Sequence, residues 1–202
     1  MAFNFKRLFQ AYQAFKGSDN LGDFALLKAD GLGAKANREI EAKMLPVRGY
    51  YPYINLQELI KLPSDTFGHH YALYMQQNKL KPLNISSELT DIATNNVFAL
   101  RYAVTHDIFH VLLDFDTSYA GEIGVLAFAV AQEYSKLQSF SLPIAQLLYL
   151  ILAPGQIKAI FANKQRGKLM GQKANFLLNY RFEDHWTETL SSLRKKLNVN
   201  PS

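Results

Sequence analysis

Apolar residues recur at three- and four-residue intervals along most of the chain, and no alternation of apolar and polar positions outweighs that spacing. Phe3, Phe5, Leu8, Phe9, Tyr12 and Phe15, with Lys6, Arg7, Gln10 and Gln13 between them, predict an aromatic-rich amphipathic helix. Such a stripe suits a protein core first and a bilayer interface second. Glycines break the stretch from Gly17 to Gly33, predicting a loop with a short helix, and the prolines from Pro46 to Pro63 predict irregular connections or short helices. Asp65 and Thr66 can cap a helix through Tyr71, Tyr74 and Met75 that Pro82 closes.

From Ser86 or Ser87, the stripe Leu89, Ile92, Ala93, Val97, Leu100, Val104, Ile108 and Val111 predicts one long helix ending near Leu113. Asp114 to Ser118 has turn chemistry, and a second long helix is expected from Tyr119 to about Leu137, so the two form an antiparallel hairpin. A third apolar helix around Ile144 to Leu152 stops at Pro154-Gly155, and a short helix leads into a basic loop from Lys164 to Lys173. Trp186, Leu190, Leu193 and Leu197 mark an amphipathic C-terminal helix. The expected fold is all-α, a single-domain helical bundle over residues 1–202 built around the hairpin.

Composition narrows the chemistry. At 49% hydrophobic and 19% charged residues the chain can bury a core, which excludes disorder. Having no cysteine, it has no disulfides, no thiol nucleophile and no cysteine-ligated zinc, so any metal is held by His, Asp or Glu. The net charge of +5 is unevenly placed: Tyr134 to Phe182 contains no acidic residue but several lysines and arginines. That stretch reads as a solvated basic surface or as a dock for phosphate or anionic lipid, with Lys158, Lys164, Arg166, Lys168 and Lys173 as the membrane-docking set. The run Phe140 to Ala153 is shorter than the roughly 20 residues of a membrane span, and Met1 to Lys16 has no secretory signature, so cytoplasmic residence is expected. No nucleic-acid-binding motif accompanies the basic residues.

His106, Asp107 and His110 fall within about 100° of one another around a helix axis. Eleven residues separate His110 from Glu122, so each lies about one turn from the loop and both sit at the same depth of the hairpin. Two imidazoles and two carboxylates suit zinc, manganese or iron; a core or capped histidine pair is the bland alternative. A zinc protease is disfavoured, because Asp107 is one methylene shorter than the glutamate base of that motif.

With these residues on the page, the chain resembles the coenzyme Q biosynthesis protein 4 family. The spaced set His106-Asp107-x-x-His110 and Glu122 is the specific part, joined by Gly121, Arg101-Tyr102, Leu62-Pro63, Gly68, Tyr71, Phe182-Glu183-x-x-Trp186, Leu190, Leu193, Arg194 and Leu197 over roughly residues 60 to 200. The resemblance implies a helical protein of quinone biosynthesis holding a divalent metal, zinc, through His106, Asp107, His110 and Glu122. It also implies a polyprenylated ring intermediate or isoprenoid lipid as ligand, other quinone-biosynthesis enzymes as partners, and replacement of a ring carboxylate by a hydroxyl. Glu122 then serves as ligand or base, with Asp107 the other carboxylate assigned to catalysis. Phe128, Leu147, Leu148 and Leu152 are the candidates for lining a prenyl groove, although core packing suits them too. Lacking the transit segment of eukaryotic relatives, the chain is expected in the bacterial cytoplasm or on the inner membrane face; a homodimer stays open.

Two rivals stand beside this reading. A His-Asp phosphohydrolase would recruit His69 or His70 with His106-Asp107 and Asp114, Asp116 or Asp184, leaving His110 and Glu122 without a role. A scaffold without turnover would carry an isoprenoid to partner enzymes around a structural metal.

Overall fold

The computed structural model describes residues 4–17 and 20–201, and every element among them is helical. Phe3 of the aromatic stripe lies outside the described residues. One antiparallel bridge, Thr66 to Thr189, is the β pairing present among them. The helices form two compact units interleaved in sequence. The first takes the N-terminal segment up to Ile54, Lys81–His106 and Leu178–Tyr180; the second takes Asn55–Leu80, Asp107–Leu177 and the chain from Arg181.

In the first unit, α1 (Phe5–Gly17) packs on α2 (Leu21–Gly31), and α3 (Arg38–Met44) follows. Ala11, Leu26, Leu27, Ile92, Ala93 and Leu100 are buried together there. The aromatic stripe of α1 is not core: Phe5, Phe9, Tyr12 and Phe15 are all more than half exposed. Helix geometry explains this, because Leu8, Ala11 and Ala14 form a smaller-residue stripe about 100° around the axis, and that is the face applied to α2. Arg101, fully buried, donates to the carbonyls of Tyr50 (3.1 Å) and Tyr180 (3.0 Å), tying three segments of this unit together.

The expected long helix is broken into α6 (Thr90–Asn95) and α7 (Val97–Leu113). Asn96 makes the break: its amide nitrogen donates to Asp30 Oδ1 and the Ala34 carbonyl, and its Oδ1 accepts from the Ala99 amide, opening α7. The boundary between the units falls after His106, inside the unbroken α7.

The second unit holds α4 (Leu56–Leu59), α5 (Phe67–Gln77), α8 (Tyr119–Ala131), α9 (Lys136–Leu152), α10 (Ile157–Lys173) and α11 (Leu190–Lys196). Thr66 caps α5, as its sequence predicts, by accepting from the His69 amide. The second hairpin helix stops at Ala131 rather than near Leu137; Glu133 adopts φ of 57°, and Ser135 caps the next helix, α9. Lys164 to Lys173 is the second half of α10 and not a loop. Its glycines serve contact: a Cβ on Gly167 would lie 2.1 Å from the Gly124 carbonyl oxygen, while Asn163 donates to the Ala120 carbonyl one turn earlier. Small residues thus bring the backbones of α8 and α10 together. Trp186 precedes α11 instead of belonging to it, stacking on Phe67 (4.9 Å) and Tyr71 (5.2 Å).

Gly167→Ala is expected to lower stability by about 1–3 kcal/mol, because the clash is with backbone. Gly155→Ala, where a Cβ would meet nothing within 4 Å, is expected to leave it within about 0.5 kcal/mol. Denaturant unfolding of the two variants checks both.

Candidate metal centre

His106 and His110 are one turn apart on α7, and Glu122 sits in the first turn of α8. The turn between the helices decides where the glutamate lands. Asp114 adopts φ of 58°, reversing the chain, and the Phe115 amide donates back to the His110 carbonyl. Ser118 caps α8 by accepting from the Gly121 amide, and the Asp116 carboxylate accepts from the Ser118 amide and hydroxyl. A Cβ on Gly121 would lie 1.9 Å from the Asp116 carbonyl oxygen, so glycine there is what lets the loop close on the helix.

The outcome is a convergent donor set: one ligand atom each from His106, His110 and Glu122, all within 4.8 Å of one another. His110 is buried and its Nδ1 lies 3.2 Å from the Phe115 carbonyl. A carbonyl only accepts, so Nδ1 carries the proton and Nε2 is the nitrogen left for a ligand. Nε2 stands 3.3 Å from Glu122 Oε1, close to the about 3.4 Å that separates two tetrahedral ligands at zinc distances. A borderline-soft divalent cation therefore fits the chemistry and spacing of these residues.

Around the group, Tyr74 stacks its ring on His110 (centroids 5.9 Å, 22° between planes), and Tyr102 lies against His106 (5.9 Å). Burial, then the charges of Asp107, Glu122 and Asp116, push the Tyr74 phenol well above its ordinary range. Burial and then Asp107 and Glu183 do the same for Tyr71. His110 is also on the wall of a cavity of about 670 Å³, together with His70, Tyr74, Asp114, Asp116, Arg166 and Arg194. Arg194 donates to the Val111 and Leu112 carbonyls at the end of α7 (both 2.9 Å), and Arg166 donates to the Asp114 carbonyl while lying over the Phe115 ring (4.2 Å). The His70 imidazole is held below its usual value by burial and then by Arg194 and His69, against Asp65.

The structure brings together three of the four expected ligands. Asp107 stands outside the convergent set, with its charge felt by Tyr71 and Tyr74. His69 and His70 do not join it either; His69 Nδ1 faces the Ile60 and Leu62 carbonyls, both at 3.0 Å, as a structural donor. Of the residues named for a prenyl groove, Phe128 is fully buried against Phe109, whereas Leu147, Leu148 and Leu152 are exposed on α9. Of the basic set, Arg166 is committed to the α7–α8 turn, while Lys158, Lys168 and Lys173 are exposed and Lys164 reaches Gln146 on α9. The sequence names Tyr74 as a helix position, Arg166 as a membrane-docking residue and Arg194 within the family pattern, but their contacts at the end of α7 escape it because the partners lie tens of residues away.

Among the described residues the protein is all-α, and its α7–α8 hairpin presents imidazole and carboxylate donors to one point. The family model for coenzyme Q (ubiquinone) biosynthesis protein Coq4 matches residues 51–202, and the chain belongs to that family, one of ubiquinone biosynthesis. Among its relatives are the mitochondrial ubiquinone biosynthesis protein COQ4 homolog 2 of Paramecium tetraurelia, 32% identical over 71% of this chain and 68% of that protein, and the COQ4 homolog of Nematostella vectensis, 30% identical over 74% and 73%. The match to the Xenopus tropicalis homolog, at 27% identity, spans 73% of this chain but about half, 52%, of that protein. A crystal structure of a candidate ubiquinone biosynthesis protein from Nostoc punctiforme covers 98% of this chain and 100% of its own, with a TM-score of 0.68 at 26% identity.

Zinc or cobalt at a hundred times its dissociation constant is expected to stabilise the protein by about 2.7 kcal/mol. His110→Ala is expected to lose that gain, and thermal unfolding with and without metal reads both.

Proposed function

We propose that this chain acts on a polyprenylated hydroxybenzoate-type intermediate of quinone biosynthesis, replacing its ring carboxylate by a hydroxyl. The observation that carries this is the convergence of His106, His110 and Glu122 in a member of the Coq4 family. A divalent cation, zinc by donor type, held by these three residues would supply positive charge beside the ring as carbon dioxide leaves. His110, oriented through Nδ1, keeps Nε2 aimed at the site. Glu122 Oε1 accepts the proton of an incoming phenol or carboxylic acid. Asp107 adds to burial, the larger cause, in raising the neighbouring Tyr71 and Tyr74 phenols. The exchange is a two-electron oxidation of the ring carbon, so dioxygen enters from outside the chain as the two-electron oxidant and leaves as hydrogen peroxide, while water supplies the oxygen of the new hydroxyl and the carboxylate leaves as carbon dioxide.

A second reading has its own support. On α9, Phe140, Ile144, Leu147, Leu148 and Ile151 are exposed at helical spacing, Ile144 and Ile151 each at 68%. Lys158, Lys164 and Lys168 follow on α10 with no acidic residue nearby in sequence. Among the described residues no single helix is long and apolar enough to cross a membrane; α9 and the segment Pro154–Lys173 pass together but are bent by 114°. An apolar face flanked by lysines fits an anionic lipid surface, from which an isoprenoid substrate is lifted or passed to partner enzymes.

Mass spectrometry of carbon dioxide release and ring hydroxylation, with metal-loaded protein under dioxygen, tests the first reading. Glu122→Ala is expected to lower turnover about 10²-fold or more. A protein that binds metal and lipid yet turns nothing over, with partner enzymes added, leaves the carrier reading. For the surface, anionic vesicles are expected to pellet the protein and neutral ones far less, and Ile144→Asp with Ile151→Asp to abolish pelleting. Equal binding to both vesicle types removes the electrostatic part.

A further inference from the structure

The tautomer of His110 rests on the Phe115 carbonyl, 3.2 Å from Nδ1, and that carbonyl is aimed by a reversal made at one residue, Asp114, with φ of 58°. Its direction therefore depends on how the peptide joining Asp114 to Phe115 is held. Arg166 of α10 holds it twice. One guanidinium nitrogen donates to the Asp114 carbonyl, the oxygen of that same peptide, at 2.6 Å, and the guanidinium carbon lies 4.2 Å from the centre of the Phe115 ring. The ring also rests on Gly124 of α8, where a Cβ would come within 2.6 Å of it. Phe115, only 4% exposed, is thus gripped from both α8 and α10.

Helix capping does not account for Arg166. Arg194 already bonds the Val111 and Leu112 carbonyls at the end of α7, whereas Asp114 lies past that end, inside the turn. Attraction to a membrane does not account for it either, because a cation serving that purpose keeps its nitrogens in water. Arg166 Nε is instead buried with no hydrogen-bond partner, and a second guanidinium nitrogen donates to the Pro201 carbonyl at 3.4 Å. Resting on the reading of His106, His110 and Glu122 as a metal centre, we infer that Arg166 is a positioning residue for His110. By fixing the Asp114–Phe115 peptide it keeps the proton on Nδ1 and presents Nε2 to the donor set. Partners that orient a ligand in this way are worth about 10- to 100-fold in metal affinity.

Full-length protein with isotope-labelled histidine, read by long-range proton–nitrogen correlation spectra at mildly alkaline pH, reports which His110 nitrogen carries the proton. Wild type is expected to show the Nδ1–H tautomer alone. Arg166→Met keeps the length of the side chain and removes its donors and charge. It is expected to show both tautomers and to lose about tenfold or more in cobalt affinity, titrated by the visible spectrum. Arg166→Lys, which keeps the charge without the planar fork, is expected to show the same change in smaller measure. Gln132→Ala, which removes bonds to the Gly171 and Ala174 carbonyls at the far end of α8, is expected to lower the melting temperature while keeping the wild-type tautomer and cobalt affinity. Arg166→Met with wild-type tautomer and affinity overturns the inference; where that variant does not fold, the same result in Arg166→Lys does. Gln132→Ala with the same loss of tautomer and affinity also overturns it, since lost stability then suffices. Wild type with the proton on Nε2 overturns it outright. Wild type that takes up no cobalt, while Arg166→Met still mixes the tautomers, supports the positioning role and removes the metal reading, so the two failures are distinguishable.

Discussion

The site depends on how tightly the chain turns between α7 and α8. His110 is both a member of that turn and a member of the donor set: its carbonyl accepts from the Phe115 amide, and its ring nitrogen faces the Phe115 carbonyl. The same five residues that orient the imidazole therefore deliver Glu122 to it. Any lengthening of the loop would release the tautomer and displace the glutamate together. Bare space at Gly121 is the steric condition, since a side chain there would meet the Asp116 carbonyl.

Charges of both signs gather at this turn. The last carbonyls of α7 lie at the negative end of a helix dipole, and Arg194 and Arg166 bond the chain there from α11 and α10. These guanidiniums share the cavity wall with the carboxylates of Asp114 and Asp116. Burial first, and then nearby carboxylates with Asp107 foremost, raises the Tyr71 and Tyr74 phenols.

The second unit brings the backbones of α8 and α10 close, beside a core of large side chains such as Phe67, Phe109, Phe128 and Phe182. Glycines and an asparagine at the α8–α10 contact hold the two helices together. On α9, Leu142 and Leu150 pack against the cluster of Ala120, Ile123 and Ile160, while Ile144, Leu147, Leu148, Ile151 and Leu152 face outward. In the first unit α1 shows the same division, with alanines inward and aromatics outward. Helices whose smaller face is buried leave their apolar payload for another surface.

The donor set was legible because it is short-range: a four-residue spacing and a twelve-residue spacing follow from 3.6 residues per turn and one loop. Caps such as Thr66 and Ser118 are equally local, resting on one side chain and one nearby amide. By itself, then, the sequence determined an all-α fold and the spacing that lets His106, His110 and Glu122 converge. What it could not contain is the outcome of competition between faces and between segments. Periodicity marks an apolar stripe without saying whether it is covered, so the α1 aromatics read as core. Glycine reads as a breaker until a neighbouring backbone, as at Gly167, makes it a contact. Asn96 interrupts a continuous stripe because Asp30 and Ala34, more than sixty residues earlier, supply its partners. Tyr74 meets His110, and Arg194 meets the end of α7, only when distant helices pack, because those contacts depend on distances through space that no local spacing encodes.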